Sequence, residues 1–129
     1  AELYGDPDMG LALASMEVLA ADGTVVTNLA LEGATSPTGF FFVDTDDLPT
    51  DGGTIRLLDG EGVELDALAW GSGTGLAGEG TPAPAPSMGQ GLARCPGFTD
   101  TDDNEADFHI TDTPGRGDEN GGFVDSGAC

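Results

Sequence analysis

The sequence predicts a single all-β domain of short strands joined by tight turns. The chain has 129 residues, which is about the size of one domain. It contains 22 glycines, more than twice the number expected from an average usage of about 7%. Its apolar residues fall in short runs separated by Gly, Asp, Asn and Pro, a pattern typical of strands and turns. We therefore expect one β domain over residues 1–129.

The N-terminal third of the chain predicts a short strand followed by a hairpin. Residues 2–4 (ELY) read as a strand that the Gly-Asp-Pro-Asp turn at residues 5–8 ends. Residues 11–20 are open to two interpretations: their Leu, Ala, Met and Glu favour a helix, but their apolar spacing fits two strand pieces with a kink at residues 14–15. We predict strands, because a turn and a β-branched run follow at residues 21–31 and complete a hairpin.

The middle of the chain carries the clearest strand signals. Residues 40–43, three Phe and a Val, predict a central strand with rings facing the core. Residues 54–59 and 63–70 flank a Gly-Glu-Gly turn and predict a second hairpin. Alternate apolar residues of its second strand, from Val63 to Ala69, are expected to share one face.

The last third of the chain is rich in Gly and Pro. Residues 71–87 form a predicted surface loop, in which the Pro-Ala repeat at residues 82–86 favours an extended polyproline conformation. A linker between domains is the alternative, although too little apolar sequence follows to build a second core. Residues 88–94 and 107–110 are the last strand candidates, and residues 111–129 form a Gly-rich acidic tail.

The charge excludes whole classes of partner. The chain has 24 Asp and Glu against 3 Lys and Arg, a formal net charge of −21, so it cannot bind a nucleic acid backbone or an anionic membrane by counterion release. No apolar run approaches the roughly 18 residues that a membrane span requires. We expect no nucleic acid partner and no membrane insertion, and we expect surroundings rich in salt or divalent cations that screen the self-repulsion.

The two cysteines predict one disulfide, Cys95–Cys129, that closes a loop of about 35 residues. Because Cys129 is the last residue, a bond between neighbouring copies is the alternative. The two Cys, the absence of Lys and a start at Ala1 without Met predict a secreted protein, extracellular or at a cell surface, whose signal peptide has been removed. An artificial boundary at Ala1 is the alternative explanation for that start.

The densest group of oxygen ligands predicts a calcium site as a candidate. Its residues are Asp100, Asp102, Asp103, Asn104 and Asp107. Calcium takes six to eight oxygens, but the loop is not an EF-hand, because Glu105 stands where that motif needs Gly and Thr111 where it needs Glu. The alternative is an Asx-turn loop in which these side chains cap the backbone. A second acidic loop, a weaker calcium candidate, contains Asp44, Asp46, Asp47 and Asp51.

No catalytic constellation is recognisable. His109 is the only histidine and has no second His and no Cys at metal-binding spacing, so no zinc site is expected. No serine lies in a Gly-x-Ser-x-Gly elbow. The tripeptide Arg116-Gly117-Asp118 matches an adhesion motif, but such a match arises easily by chance in a Gly-rich acidic tail. We expect that the chain is not an enzyme.

Five short motifs, in order along the chain, carry a resemblance to a known family. They are ELY at residues 2–4, LASMEV at 13–18, IRLLDGEGV at 55–63 followed by Asp66, GLAR at 91–94, and DTDDNEADF at 100–108 followed by TPG at 113–115. In this order they resemble the E-L-Y-N, L-S-G-W-x-L, L-x-D-x-x-G, S-L-x-R and D-T-D-D-N-x-x-D-F elements of the lamin-tail domain family of bacterial secreted proteins. Met16 stands in the place of the family's Trp, and the Pro-rich stretch is an insertion.

The resemblance implies an immunoglobulin-like β-sandwich with long Gly/Pro-rich loops and one strand fewer than is usual. Family members begin with an apolar strand before E-L-Y-N, and a sandwich that lacks it exposes an edge that another chain can fill. We therefore predict a non-catalytic subunit of a secreted filament or surface assembly, with strand addition between copies involving Leu3, Tyr4, Phe123 and Val124. The alternatives are that the tail folds back into its own sheet, and that the chain is a Ca²⁺-dependent binding module of a larger surface protein.

Overall fold

The computed structural model describes residues 1–45, 48–73, 78–117, 120–125 and 129. The strands are β1 (Glu2–Tyr4), β2 (Ser15–Ala20), β3 (Val25–Ala30), β4 (Phe40–Phe42), β5 (Gly52–Leu58), β6 (Glu64–Gly71), β7 (Gly91–Arg94), β8 (Phe108–Thr113) and β9 (Gly121–Phe123), and the helix is α1 (Asn104–Asp107). The all-β prediction is therefore confirmed. The one helix of the described ranges has four residues, far too few to cross a membrane.

The strands form three antiparallel sheets. The largest has the order β3-β2-β5-β6, and the smaller ones pair β1 with β4 and order β7-β8-β9. Both predicted hairpins, β2–β3 and β5–β6, are confirmed. The prediction that residues 11–20 favour strand over helix is confirmed only for Ser15–Ala20, because residues 11–14 form turns in which Leu13 takes a φ of 77°.

The core lies where the β1–β4 pair packs on the large sheet. Met16 and Val18 of β2 are fully buried, and Met16 belongs to one apolar cluster with Leu11, Leu31 and Val43. Apolar side chains of β1, β3, β4 and β5 pack against this cluster. The alternation of β2 thus turns Met16 and Val18 inward, and β1 and β4 cover part of this face of the large sheet.

Three details of the predicted strands were wrong. Residues 40–42 pair only with β1 and so belong to a two-stranded sheet, not to the centre of a larger one. A bulge opposite Leu57 and Leu58 leaves Leu65 without a partner on β5, so Val63 and Leu65 are exposed while Ala67 and Ala69 are buried. Asp107 ends a helical turn and does not begin a strand.

The C-terminal segment folds back on its own chain. Phe123 of β9 lies opposite Thr111 of β8, and the Val124 N–H donates to the Ile110 carbonyl at 3.0 Å. Cys95 and Cys129 form the predicted disulfide, with a Cα–Cα distance of 5.6 Å and a sequence separation of 34 residues. The tail therefore completes its own sheet, and its far end is fixed to the end of β7.

Candidate functional site

The free edge of β6 is covered by a side chain. Asn104 is fully buried, and its Oδ1 accepts the Ala69 N–H at 2.7 Å while its Nδ2 donates to the Ala67 carbonyl at 2.8 Å. The same Oδ1 accepts the Glu79 N–H at 3.2 Å. The carboxamide of Asn104 thus offers β6 the donor and the acceptor that a neighbouring strand would offer.

The Pro-rich segment continues this cover. Ala83 donates to the Ala69 carbonyl and accepts from the Gly71 N–H, both at 2.9 Å, in a parallel bridge to Trp70. At Gly78 an added Cβ would stand 2.4 Å from the Ala69 Cβ, so only glycine allows this close approach. Over its described part, the predicted surface loop therefore covers the edge of β6, and we call it the edge guard. It supplies hydrogen-bond partners to backbone groups in the C-terminal half of that strand.

The acidic segment after β7 holds this guard in place. Asp103 caps α1, and its Oδ1 accepts the Thr81 N–H at 3.0 Å. The Asn104 N–H donates to the Glu79 carbonyl at 2.9 Å, and the Glu105 N–H donates to the Thr81 carbonyl at 2.8 Å. Residues 79–81 and 103–105 are therefore fastened to each other as well as to β6.

The opposite edge of the same sheet, β3, has no such guard. Within the described ranges no backbone hydrogen bond reaches its outer side. The strand reads VVTNLA, without charge or proline, and both Val25 and Val26 are about half exposed. A bulge at Val26, between the Val18–Thr27 and Leu19–Val25 pairs, is its one irregularity. Proteins protect exposed edges with charge, proline or cover, and residues 27–30 have none of these.

The register identifies which groups of β3 point outward. The Leu31 N–H donates to the Ala14 carbonyl, and hydrogen-bonded pairs alternate along an antiparallel ladder. The pairs Met16–Leu29 and Val18–Thr27 therefore exchange hydrogen bonds. Asn28 and Ala30 consequently direct their N–H and C=O groups away from β2.

Three carboxylates surround the Arg94 guanidinium next to the covered edge of β6. Its guanidinium contacts Asp66 at 2.9 Å, Asp100 at 3.2 Å and Asp107 at 3.7 Å, and it lies 4.6 Å from the centre of the Phe108 ring. The Arg94 side chain is only 11% exposed. Removal of Arg94 would therefore leave the buried Asp107 carboxylate without a compensating charge.

Burial, hydrogen bonding and nearby charge shift the pKa values of three carboxyl groups around Arg94. Desolvation, with repulsion from Asp66 and Asp100, raises the pKa of Glu79 to about 7. Desolvation also raises the pKa of Asp66, against the attraction of Arg94. The Asp102 N–H that Asp100 accepts lowers the pKa of Asp100. Oxygens of Asp66, Glu79 and Asp100 lie within 4.8 Å of one another.

The five predicted calcium ligands are not brought together as one shell. Asn104 faces β6, Asp103 caps α1, and both carboxylate oxygens of Asp107 accept hydrogen bonds from Thr101 at 2.7 Å. Asp100 accepts the Asp102 N–H at 3.2 Å, which is the Asx-turn arrangement that the sequence offered as the alternative. Sequence reasoning missed Asp66 and Glu79, because only the fold brings them to Asp100.

Of the remaining acidic candidates, the described ones, Asp44 and Asp51, make separate contacts. In the second loop Asp44 contacts the exposed Arg116 at 3.2 Å, and the backbone carbonyl of Asp51 accepts from Ser72. Asp46, Asp47 and Asp118, the last residue of the adhesion tripeptide, lie outside the described residues.

An apolar groove opens over the inner face of the large sheet. It encloses about 800 Å³, and its lining includes Leu3, Met16, Ile55, Leu68, Leu92 and Phe108. Leu48, 40% exposed, and Met88, fully exposed, stand at its rim. Apolar surface without cover is characteristic of interaction sites.

The predicted assembly residues have partners in their own chain. Leu3 packs on the core, and Tyr4 stacks on Phe98 with ring centres 4.0 Å apart. Phe123 and Val124 belong to or follow β9, as described above. The tail therefore follows the fold-back alternative, and the disulfide at its end opposes its release as a donor strand.

Comparisons with family models, with curated proteins and with solved structures find no match to this chain.

Proposed function

We propose that this chain is a non-catalytic structural module of an extracellular assembly, joined to other copies of itself by β-strand addition at β3. The observation that carries the proposal is the contrast between the two edges of one sheet. Asn104 and Ala83 guard β6, whereas β3 presents unguarded groups at Asn28 and Ala30. Strand addition uses such main-chain groups for affinity.

Two β3 strands are expected to pair antiparallel across a two-fold axis. This contact joins two four-stranded sheets into one of eight strands, and it is isologous, so by itself it closes a dimer. The region of β3 carries no charged side chain, which limits the repulsion between two copies of charge −21.

A filament requires a second contact on each copy, and we place it at the groove. Its occupant is the segment around Met88 of a neighbouring copy, which stands fully exposed beside the groove of its own copy. Residues 80–99 contain no Asp or Glu, whereas Glu2, Asp51 and Asp66 line the groove. When each copy inserts Met88 into the groove of the other, the contact again has a two-fold axis. A chain of copies that alternates the β3 contact with the groove contact is an open linear polymer.

A fold assignment more specific than all-β supports the same proposal. We propose an immunoglobulin-like β-sandwich of the lamin-tail type, because the resembling motifs coincide with strands: ELY forms β1 and GLAR forms β7. Met16, which stands in the place of the family's Trp, is fully buried. Secretion is supported by the Cys95–Cys129 disulfide, which persists in oxidising surroundings.

The test combines sedimentation with electron microscopy of purified chain. Asn28→Pro removes one outward N–H of β3 without touching the β2 ladder, since edge strands tolerate proline. Asn28→Ala is its matched control. Met88→Asp charges the groove contact, and Leu13→Asp, at another exposed apolar site, is its control.

We expect filaments from the wild type and from both controls. Asn28→Pro and Met88→Asp are each expected to leave dimers, and the double variant is expected to leave monomers. A wild-type chain that stays monomeric at every concentration would refute the proposal, and dimers of the double variant would refute the choice of contacts.

A second candidate is a Ca²⁺-dependent binding module, favoured by the convergence of Asp66, Glu79 and Asp100. Calcium there would share the carboxylates with Arg94, which already supplies a positive charge. Binding to the native state must stabilise it, so this candidate predicts a Tm that calcium raises and a chelator lowers. An unchanged Tm, or an increase that Asp66→Asn leaves intact, excludes calcium at this cluster.

A further inference from the structure

One face of the β7-β8-β9 sheet brings together the only histidine and the only two cysteines of the chain. Ala93 lies opposite His109, and Cys95, two residues further along, continues on the same face. Sulfur atoms of Cys95 and Cys129 and a ring nitrogen of His109 lie within 4.8 Å of one another. No local pattern indicates this cluster, because Cys95 and His109 are 14 positions apart and His109 and Cys129 are 20 positions apart.

A carboxylate orients the histidine. Thr111 lies opposite Phe123, so the register places Asp125 opposite His109, and Asp125 Oδ2 stands 3.1 Å from His109 Nδ1. An ionised carboxylate can only accept, so the Nδ1–H tautomer of His109 donates this hydrogen bond to Asp125. In that tautomer the lone pair of Nε2 is left for a metal ion. A histidine held in this way by a carboxylate is typical of metal ligands in proteins.

The surroundings of His109 are largely closed to water. The His109 side chain is 11% exposed and that of Asp125 is 19% exposed, and the Phe123 ring meets the imidazole edge to face at 6.2 Å. Within the described ranges, Asp125 Oδ1 is buried without a hydrogen-bond partner. The imidazole and its carboxylate are therefore fixed before any ligand arrives.

We propose that Cys95, Cys129 and His109 form a zinc site when the disulfide is reduced, with Asp125 as the residue that positions His109. A dithiol reductant transfers two electrons and two protons to the disulfide and is itself oxidised to a disulfide, which leaves two thiols. Zinc displaces the two thiol protons and takes two thiolate sulfurs and one imidazole nitrogen. Water occupies the fourth, tetrahedral position.

The segment between Cys95 and Cys129 is closed in both redox states, but by different bonds. The oxidised chain joins Cys95 to Cys129 by a covalent bond, and the reduced chain joins them through the metal and adds β8 through His109. Zinc is therefore expected to restore stability that reduction removes, since metal binding to the native state is linked to folding. The proposal is independent of β3 and of assembly.

The experiment titrates the full chain with Co²⁺ and then Zn²⁺ in the absence of oxygen, before and after reduction with a dithiol that is then removed. In the reduced chain we expect thiolate-to-cobalt charge-transfer absorption with an end point of one Co²⁺ per chain, loss of that signal on adding Zn²⁺, and a higher Tm with Zn²⁺. The oxidised chain is expected to show none of these responses.

Variants separate a built site from adventitious thiol binding. His109→Ala is expected to abolish tetrahedral cobalt binding, and Asp125→Asn to weaken zinc binding about 10- to 100-fold. Asp8→Asn, at an exposed position outside the groove and both acidic candidate sites, is the matched control and is expected to bind as the wild type does. Equal binding by reduced wild type and His109→Ala would overturn the proposal. So would equal binding by the reduced chain in urea, where circular dichroism reports that the sheet is lost.

Discussion

Replacing Asn104 by Ala tests whether one carboxamide closes the β6 edge. The variant leaves two buried groups, the Ala69 N–H and the Ala67 carbonyl, without the partners that stand at 2.7 and 2.8 Å in the wild type. It also removes the acceptor of the partly buried Glu79 N–H. A buried backbone group without a partner costs about 1–3 kcal/mol, so two groups predict a loss of about 2–6 kcal/mol. That is a large share of the roughly 5–15 kcal/mol that stabilises a domain.

The assay is urea unfolding followed by circular dichroism, with Asn28→Ala as the matched control. Asn28 is exposed and makes one side-chain hydrogen bond, to Glu17 at 2.8 Å, so its loss is expected to cost less than about 1 kcal/mol. A lower midpoint at constant slope reports the stability difference. If Asn104→Ala unfolds at the same midpoint as Asn28→Ala, the edge-guard explanation is wrong.

Three further predictions concern the Arg94 cluster and the disulfide. Arg94→Ala leaves the buried Asp107 carboxylate without its cation, and a loss of about 3 kcal/mol is expected in urea unfolding; a loss below about 0.5 kcal/mol would contradict this. Because the folded pKa of Glu79 is raised from 4.5 to about 7, its contribution to stability is full below pH 4.5 and is lost as the pH rises through 7. Glu79→Gln is therefore expected to flatten the decline of stability over that window, and an unchanged slope would show that Glu79 is not the group responsible. Replacing Cys95 and Cys129 together by Ser removes the restraint on a 34-residue separation, and a loss of about 4 kcal/mol is expected from chain entropy; retention of the wild-type Tm would count against that role.

Local sequence patterns predict most strands of this fold but not how the strands combine. Period-two alternation and Gly-containing turns identify both hairpins, since these are contacts between neighbours in the sequence. The pairing of β1 with β4 joins residues almost 40 positions apart, and no local pattern encodes it. The apolar run at residues 40–43 therefore led to the prediction of a central strand, whereas Phe40–Phe42 form one strand of a two-stranded sheet.

The candidate sites depend even more than the strand pairing on contacts between distant residues, which local sequence patterns do not encode. The acidic segment at residues 100–107 was recognisable as capping or calcium-binding sequence, yet the partner of Asn104 is the edge of β6, over 30 residues away. The pairing of Arg94 with Asp66 and Asp107 depends on how the sheets meet, which no local pattern encodes. The lack of cover on β3 becomes informative only by comparison with β6, the covered edge strand of the same sheet.

Strand addition at β3 can be measured by amide hydrogen exchange, because it would protect the outward N–H groups of that strand. Asn28 and Ala30 direct their N–H groups outward, whereas the register pairs the Leu29 N–H with β2. We expect the amides of Asn28 and Ala30 to exchange rapidly in dilute monomer and slowly in the assembled fraction, while Leu29 is protected in both. Equally rapid exchange of Asn28 and Ala30 in the assembled fraction would contradict the account.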